Sequence, residues 1–313
     1  WLRLAAPALL IGAVLVALTL VIGSTVNGAS RWLVIGPVQI QPTELIKPFL
    51  VLQGAALFSH WKRIAADQKL IWLGVFAVVL GLILKQPNLS TAALCGLLLW
   101  LMALASGLPM VAMLGTAAAG AAVGVGSIAI NEYQRIRVTS FLNPWTDAQG
   151  DGYQLVQSLL AIGSGGFWGE GFGLSTQKLQ YLPIQSTDFI FAVFAEEFGY
   201  VGSVVLLLFL VLFGYVGLRV ALSCRSNQQR LLAIGCTTLL VGQSILNIAV
   251  ASGAMPTTGL PLPMISYGGN SLLSSLLTAG LLIRCSLEGA GLEPLRPRRD
   301  RREAAGRRSA PIG

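Results

Sequence analysis

The sequence predicts an all-α fold, a polytopic integral membrane helix bundle of about eight spans with one large extracytoplasmic loop. Of its 313 residues, 54% are hydrophobic and only 11% are charged, whereas soluble domains carry roughly 25% charged residues. The apolar residues gather in segments close to the ~20 residues that a helix needs to cross a bilayer. We predict spans at 5–26, 43–59, 70–85, 89–107, 109–130, 188–218, 230–252 and 271–287.

Basic residues predict how these spans are oriented. Much of the net charge of +8 comes from the C-terminal segment, and further Lys and Arg lie in the loops 60–69 and 219–229. If the spans alternate, all of these lie on one face, which is cytoplasmic by the positive-inside rule. We therefore divide the chain into a membrane domain, 1–288, and a disordered basic tail, 289–313. Such a charge run could bind nucleic acid, but beside a span it favours anchoring to anionic lipid.

The opposite face receives the large loop 131–187. A connection of around fifty residues without structure would be unusual, and long loops of this kind are often functional. Its stretch 153–162, YQLVQSLLAI, has helical apolar spacing and is predicted to lie along the membrane interface. The loop contains four acidic residues, and a fifth, Asp188, follows at its exit.

Acidic residues occur within the apolar stretch that begins at Asp188. A charge inside a bilayer costs roughly 2.5–3.5 kcal/mol on the insertion scale, so each one suggests a function. One continuous helix would place Glu196 and Glu197 about 12 Å beyond Asp188, below the membrane surface. Asp188 at the water boundary could be a general base, or simply a helix-start acid. The deeper pair could position another group or join helices through hydrogen bonds.

A second charged pair, Glu44 and Lys47, lies in the segment QPTELIKP. Residues spaced i, i+3 can neutralise each other, and an early Glu also suits a helix start at Pro42. Lys47 below the outer surface could instead meet an anion. Arginine binds phosphate oxygens well, and the outer face carries further cations. The pattern therefore suits a membrane cavity for an amphiphile with a phosphate head, with Arg31, Lys85, Arg135, Arg137 and Lys178 nearby.

The segment 255–270, MPTTGLPLPMISYGGN, is too rich in Pro and Gly for a continuous helix. It either lines a cavity at membrane depth or forms a turn-rich loop above the bilayer. The sequence has no GxxxxGK[ST] phosphate-binding loop. Its four cysteines lack CxxC spacing and predict neither a metal site nor a disulfide framework. The single histidine, His60, lies on the cytoplasmic side, so a base on the outer face would be a carboxylate.

Six sequence blocks together resemble the SEDS family (shape, elongation, division and sporulation), which includes FtsW and RodA. The resemblance runs from about residue 20 to 287, with the blocks in the family's order, and GASRW is closer to the FtsW branch. Members usually have ten spans, so the chain is expected to lack the first two. The blocks are GASRWLVIGPVQIQPTELIK, KQPNLSTA, RIRVTSFLNPW, GYQLVQSLLAIGSGGFWGEGFG, QKLQYLPIQSTDFIFAVFAEEFGYVG and PTTGLPLPMISYGGNSLL.

The resemblance implies a peptidoglycan glycosyltransferase. Family members join lipid II units on the outer face of the bacterial cytoplasmic membrane, with a class B penicillin-binding protein as transpeptidase, and FtsW acts with other division proteins at the septum. Asp188 matches the family's catalytic aspartate. The substrate-binding positions that match are Arg31, Trp32, Glu44, Lys47, Arg135, Arg137 and Lys178. Asn88, Ser90 and Gln180 depart from the family pattern, and Gln180 removes an acid that could assist Asp188.

These roles predict an inverting reaction. Asp188 would take the proton from the 4-hydroxyl of an acceptor GlcNAc, and undecaprenyl pyrophosphate would leave the donor. The leaving group's charge would be met by the cations named above or by a divalent cation, Mg²⁺ or Mn²⁺. Three alternatives stay open at this point: a lipid II flippase, a non-catalytic division scaffold, and a RodA-like role in elongation.

Overall fold

The computed structural model describes residues 4–26, 29–177 and 187–291. It is a predominantly helical bundle, as predicted. Within the described residues a short 3₁₀ helix, Pro144–Asp147, and ten α-helices are present. The helices are α1 Ala5–Ile22, α2 Pro42–Ser59, α3 Ala66–Lys85, α4 Leu89–Ala105, α5 Met110–Ile130, α6 Glu132–Leu142, α7 Tyr153–Ser164, α8 Ile190–Ser223, α9 Asn227–Ala251 and α10 Gly269–Gly289.

Each of the eight predicted spans contains a helix, but the helices differ in length, in polarity and in how deeply they are buried in the bundle. Six of the described helices are long and apolar enough to cross a membrane: α1, α3, α5, α8, α9 and α10. Helix α4 is apolar but has only 17 residues. Helix α2 carries Glu44 and Lys47, and it is buried on nearly all sides by α1, α4, α9 and α10. The bundle is therefore built around α2.

The segment after α1 forms a small sheet that sequence reasoning missed. The predicted span 5–26 ends four residues early, at Ile22, because Gly23 adopts an extended conformation. Three antiparallel strands follow in the order β1 (Ser24–Val26), β2 (Ala29–Ile35) and β3 (Val38–Ile40). Gly36, at φ 60°, makes the turn between β2 and β3. This sheet holds Arg31 and Trp32 above the start of α2.

Helix α8 is not the single continuous span that the sequence predicted. Gly199 interrupts it with φ 65° and ψ −163°, a backbone conformation that only glycine adopts readily. The glycine-rich loop 165–171 fits into this break and replaces the lost helical hydrogen bonds. Glu170 N and Gly171 N donate to the carbonyls of residues 196 and 197 at 3.0 and 3.1 Å. Tyr200 N and Val201 N donate to the carbonyls of residues 166 and 167 at 2.9 and 3.2 Å.

The part of α8 before the break folds back beside the part after it. Helices α8 and α9 run antiparallel, with Gly217 packed against Thr237 and Gly214 against Val241. If the same pairing continues along the two helices, Asn247 of α9 lies beside Leu207 of α8. A continuous helix would carry residue 188 about 30 Å beyond that level, at 1.5 Å per residue. Instead the side chain of Asn247 donates to the backbone carbonyl of residue 188 at 2.7 Å.

This reversal corrects the predicted course of the helix that carries the carboxylates. Glu196 and Glu197 lie next to the break, where the chain meets the loop 165–171, and not further along one continuous span from Asp188. The cause is the single left-handed residue, Gly199, which sequence periodicity does not register because the residues on both sides are apolar and helical.

Replacing Gly199 by alanine is expected to lower the thermal unfolding temperature in detergent. A non-glycine residue at positive φ costs of order 1–3 kcal/mol, and a Cβ on Gly199 would lie 2.3 Å from Gly169 N. The matched control is Gly242→Ala in α9, where nothing lies within 4 Å of the added Cβ. Equal unfolding temperatures for the two variants would show that the break is not a structural requirement.

Candidate functional site

Asp188 lies two residues before α8 and is half-buried. Its backbone is fixed from two sides: Asn247 Nδ2 donates to its carbonyl at 2.7 Å, and Ser266 Oγ donates to the carbonyl of Thr187 at 2.5 Å. Its carboxylate lies beside the turn at Gly259, where a built Cβ would be 3.5 Å from Asp188 Oδ2. The aspartate is thus held where the C-terminal end of α9 meets the loop 255–266.

Burial and the charges around Asp188 together determine its pKa. Burial raises the pKa of Asp188 to about 6. Arg137 acts against this rise, Glu44 adds to it, and a hydrogen bond from Thr187 and the charge of Arg31 also lower the pKa. A general base is most effective when its pKa is close to the operating pH. At neutral pH this carboxylate is therefore both ionised and able to accept a proton.

The reaction rate is expected to rise with pH through about 6 and then to level off. Because the pKa lies above the ordinary value of 3.8, the carboxyl is protonated below about pH 6 and cannot act as a base. Initial rates of lipid II polymerisation between about pH 5 and about pH 8 would measure the acidic limb of the pH profile, the range in which the rate rises with pH. A rate that stayed constant down to pH 5 would contradict the assignment of Asp188 as the titrating base.

Arg31 reaches from strand β2 to the loop between α3 and α4. Its Nε donates to the carbonyl of Gln86 at 3.1 Å, and its Nη2 donates to the carbonyl of Pro87 at 2.8 Å. The neighbouring Trp32 is half-buried in the same strand and pairs with Ser24. The small sheet therefore places one predicted cation at the site.

Arg137 comes from α6 in the large outer loop. Its Nη1 donates to the carbonyl of Thr257 at 3.1 Å, and its Nη2 donates to the hydroxyl of Tyr133. Tyr133 also hydrogen-bonds Arg31, so it joins the two guanidinium groups. Arg135 is exposed, and residues two apart on a helix do not face each other. The structure brings Arg137, and not Arg135, to Asp188.

A cavity of about 320 Å³ lies beside this charged group. Most of its lining is apolar and comes from α4, α6 and neighbouring helices, while Arg31 and Arg137 supply its cationic side chains. The residues Thr258 and Leu260 line it, whereas Gly259 between them lies against Asp188. The segment 256–260, which we call the wall, therefore lines the cavity and also contacts the carboxylate of Asp188. Its apolar lining includes Leu89, Ala93, Leu94, Leu97, Val138 and Leu246.

Glu44 and Lys47 form a buried ion pair in α2. Lys47 Nζ lies 2.6 Å from Glu44 Oε1, and the two residues are 1% and 3% exposed, respectively. Lys47 also donates to Gln243 Oε1 at 2.9 Å, and Gln243 Nε2 donates to the carbonyl of Pro261 at 2.8 Å. The pair is thus neutralised internally and linked through α9 to the loop that contacts Asp188.

The carboxylate of Glu196 binds the loop that precedes α8, and its hydrogen-bond donors among the described residues are Ser175 and Thr176. It accepts hydrogen bonds from Ser175 Oγ at 2.5 Å, from Thr176 N at 3.1 Å and from Thr176 Oγ1 at 2.9 Å. Glu196 is 1% exposed and Glu197 is 7% exposed. Glu196 therefore fastens the end of the described part of the large loop to the folded-back segment of α8.

The described residues contain no group of three or more His, Cys, Asp or Glu side chains arranged to hold a metal ion. Among the described residues, the charged side chains that act on Asp188 are Arg137, Arg31 and Glu44, and Glu44 is already paired with Lys47. This set does not fit a divalent cation site, and we derive no step through a metal.

The structure brings five of the predicted site residues together: Arg31, Glu44, Lys47, Arg137 and Asp188. Lys178 lies outside the described residues, so its role stays a prediction. Sequence reasoning missed Tyr133, Gln243, Asn247 and Ser266. Gln243 and Asn247 did carry a signal, because two amides spaced i, i+4 in an apolar span share one helix face.

Fold and site together define a polytopic membrane protein whose loops and helix ends surround a cavity with two arginines, beside a carboxylate. The chain belongs to the FtsW/RodA/SpoVE family of cell-cycle proteins, whose family model matches residues 1–290.

Similar proteins agree with this assignment. The chain is 62% identical over 267 residues to a probable peptidoglycan glycosyltransferase FtsW from Synechocystis, an alignment covering 85% of this chain and 68% of that protein. The chain spans 65% to 68% of the length of three such relatives. Among solved structures, one in a peptidoglycan synthase complex that coordinates polymerization and crosslinking has a TM-score of 0.74 at 32% identity, covering 91% of this chain and 81% of that one. Thermus thermophilus RodA has a TM-score of 0.64 at 33% identity, covering 90% and 77%.

Proposed function

We propose that the protein is a peptidoglycan glycosyltransferase that polymerises lipid II into β-1,4-linked glycan on the outer face of the cytoplasmic membrane. The observation that carries the proposal is the half-buried Asp188, with a pKa of about 6, beside Arg31, Arg137 and an apolar cavity. The names of the relatives, peptidoglycan glycosyltransferase FtsW, support the same reaction.

The proposed step is a single inverting displacement. The 4-hydroxyl oxygen of the acceptor GlcNAc attacks the anomeric carbon of the donor, whose sugar is α-linked to pyrophosphate. As the new carbon–oxygen bond forms, the bond to undecaprenyl pyrophosphate breaks, and the hydroxyl proton passes to a carboxylate oxygen of Asp188. Help of this type from a general base contributes typically 10²–10⁴-fold in rate.

The leaving pyrophosphate needs cationic partners, and Arg31 and Arg137 are the best supported. Both line the cavity, where the guanidinium fork can pair with phosphate oxygens. Lys47 is already paired with Glu44 and fully buried, so its support for the site is indirect. Binding roles for Trp32, Arg135 and Lys178 are further parts of this proposal.

The assembly and location follow from the same proposal. A class B penicillin-binding protein would act as the transpeptidase, a role supported by similarity to a chain of a complex that coordinates polymerization and crosslinking. The protein would lie at the division septum with other division proteins, with its basic C-terminal tail on the cytoplasmic side near anionic lipid. The likeness to RodA keeps an elongation role as the alternative.

The test is polymerisation of purified lipid II by the full-length protein in detergent, with its class B penicillin-binding protein present and glycan products separated on gels. Polymer that is absent without the protein supports the proposal. Failure to make polymer while moving labelled lipid II across vesicles would favour a flippase. Failure in both assays, with normal recruitment of division proteins in cells, would favour a scaffold.

A further inference from the structure

Asn247 occupies an unusual position beside the proposed catalytic carboxylate. It is 1% exposed near the C-terminal end of α9. Its Nδ2 donates to the carbonyl of Asp188 at 2.7 Å and to the carbonyl of Leu260 at 2.8 Å. Both partners are carbonyl oxygens, which only accept hydrogen bonds, so the amide nitrogen must face them.

The two carbonyls that Asn247 holds belong to opposite sides of the site. One is in the segment that carries the Asp188 carboxylate, and the other is in the wall 256–260 that lines the cavity. One amide therefore fixes the distance between the base and the wall of the cavity. Its second polar atom, Oδ1, is buried without a hydrogen-bond partner among the described residues. Burying an oxygen without a hydrogen-bond partner costs free energy, so its presence here calls for an explanation beyond packing.

We propose that Asn247 is a positioning residue for glycosyl transfer: its amide holds Asp188 at a fixed distance from the substrate in the cavity. The inference rests on the proposed function. Gln243, one turn earlier on α9, assists by holding the next carbonyl of the same loop, that of Pro261, at 2.8 Å. A displacement of about 1 Å at a reacting group can cost about 10²-fold in rate, so holding the wall and the base together matters for kcat.

Asn247→Asp is the sharpest variant, because it keeps the size of the side chain and removes both N–H donors. We expect kcat for lipid II polymerisation to fall by at least about tenfold while KM changes by less than about threefold. The matched control is Ser244→Ala. Ser244 is 3% exposed, lies three residues earlier on α9 and donates to the carbonyl of Leu240 in its own helix. This control should keep the wild-type kcat and KM.

A pH profile separates positioning from a merely structural role. Arg137 and Arg31 favour the ionised Asp188, Glu44 opposes it, and Thr187 donates a hydrogen bond to it. Burial is the largest cause of the raised pKa of Asp188, so a loosened segment that admits water should move the acidic limb of kcat to lower pH in a second variant, Asn247→Leu, which adds no charge. If Asn247 were merely structural, its replacement would lower the yield of folded protein but leave kcat per folded molecule and the acidic limb of the pH profile unchanged.

The outcomes distinguish this inference from the proposed function. If the wild-type protein makes no polymer, the proposed function fails. If the wild-type protein polymerises lipid II and folded Asn247→Asp and Asn247→Leu keep its kcat and pH profile, only the positioning role is overturned. A loss of kcat with an unchanged KM and a shifted limb supports it.

Discussion

Replacing Asp188 by asparagine is expected to lower lipid II polymerisation by 10²–10⁴-fold, to the limit of detection on gels. The amide has the size of the carboxylate but cannot take up the acceptor's proton at neutral pH. The fold should persist, because the hydrogen bonds from Asn247 and Ser266 go to backbone carbonyls of this segment, which the substitution retains.

The matched control is Asp151→Asn. Asp151 is an exposed acid of the same outer loop system, and its removal should leave the rate unchanged. Both variants should show the same thermal unfolding temperature as the wild type. Polymer from Asp188→Asn at the wild-type rate would exclude Asp188 as the base and direct attention to the other acids of the outer loop.

Among the substitutions considered, replacing Lys47 by methionine is expected to lower the free energy of unfolding the most. It would leave Glu44, 3% exposed, without its 2.6 Å partner inside the bundle. Breaking a buried ion pair from one side typically costs about 3–5 kcal/mol, because a charge stays buried without compensation. Gln243 and its bond to the carbonyl of Pro261 would also lose their anchor. The measurement is the thermal unfolding midpoint and the yield of monodisperse protein in detergent.

The double variant Glu44→Gln/Lys47→Met tests the cause. Removing both charges takes away the uncompensated group, so much of the lost stability should return. Lys85→Met, at the exposed end of α3, controls for the loss of a lysine and should be neutral. If the double variant were no more stable than Lys47→Met, the uncompensated charge of Glu44 would not be the cause of instability.

The sequence was sufficient for the parts of the structure that depend on local composition. Apolar length located the helices, and helical spacing in YQLVQSLLAI predicted α7. Charges in an apolar background picked out Asp188, Glu44 and Lys47. Arginines of the outer loops were candidates for the same reason, and Arg31 and Arg137 do lie by Asp188.

The remaining features depend on contacts between distant parts of the chain. The sheet after α1 consists of two strands of three residues and one of seven, too short for a clear period-two pattern. The break at Gly199 is stabilised by the loop 165–171, more than 27 residues earlier, so the residues next to Gly199 in the sequence do not predict it. The contact between Asn247 and Asp188 exists only because of that break.

The reversal at Gly199 has a consequence for how the protein is made. During synthesis the stretch Ile190–Ser223 would enter the membrane with the loop 165–171 already made, but without the residues that tie down its start. Asn247 and Ser266, which tie down the residues before it, are translated 59 and 79 residues after their partners. The bent form can therefore become permanent only after α9 and the loop beyond it have been inserted. A ribosome-bound chain that ends before residue 247 should leave the segment accessible to cysteine-reactive reagents at positions that become protected once residue 266 has emerged.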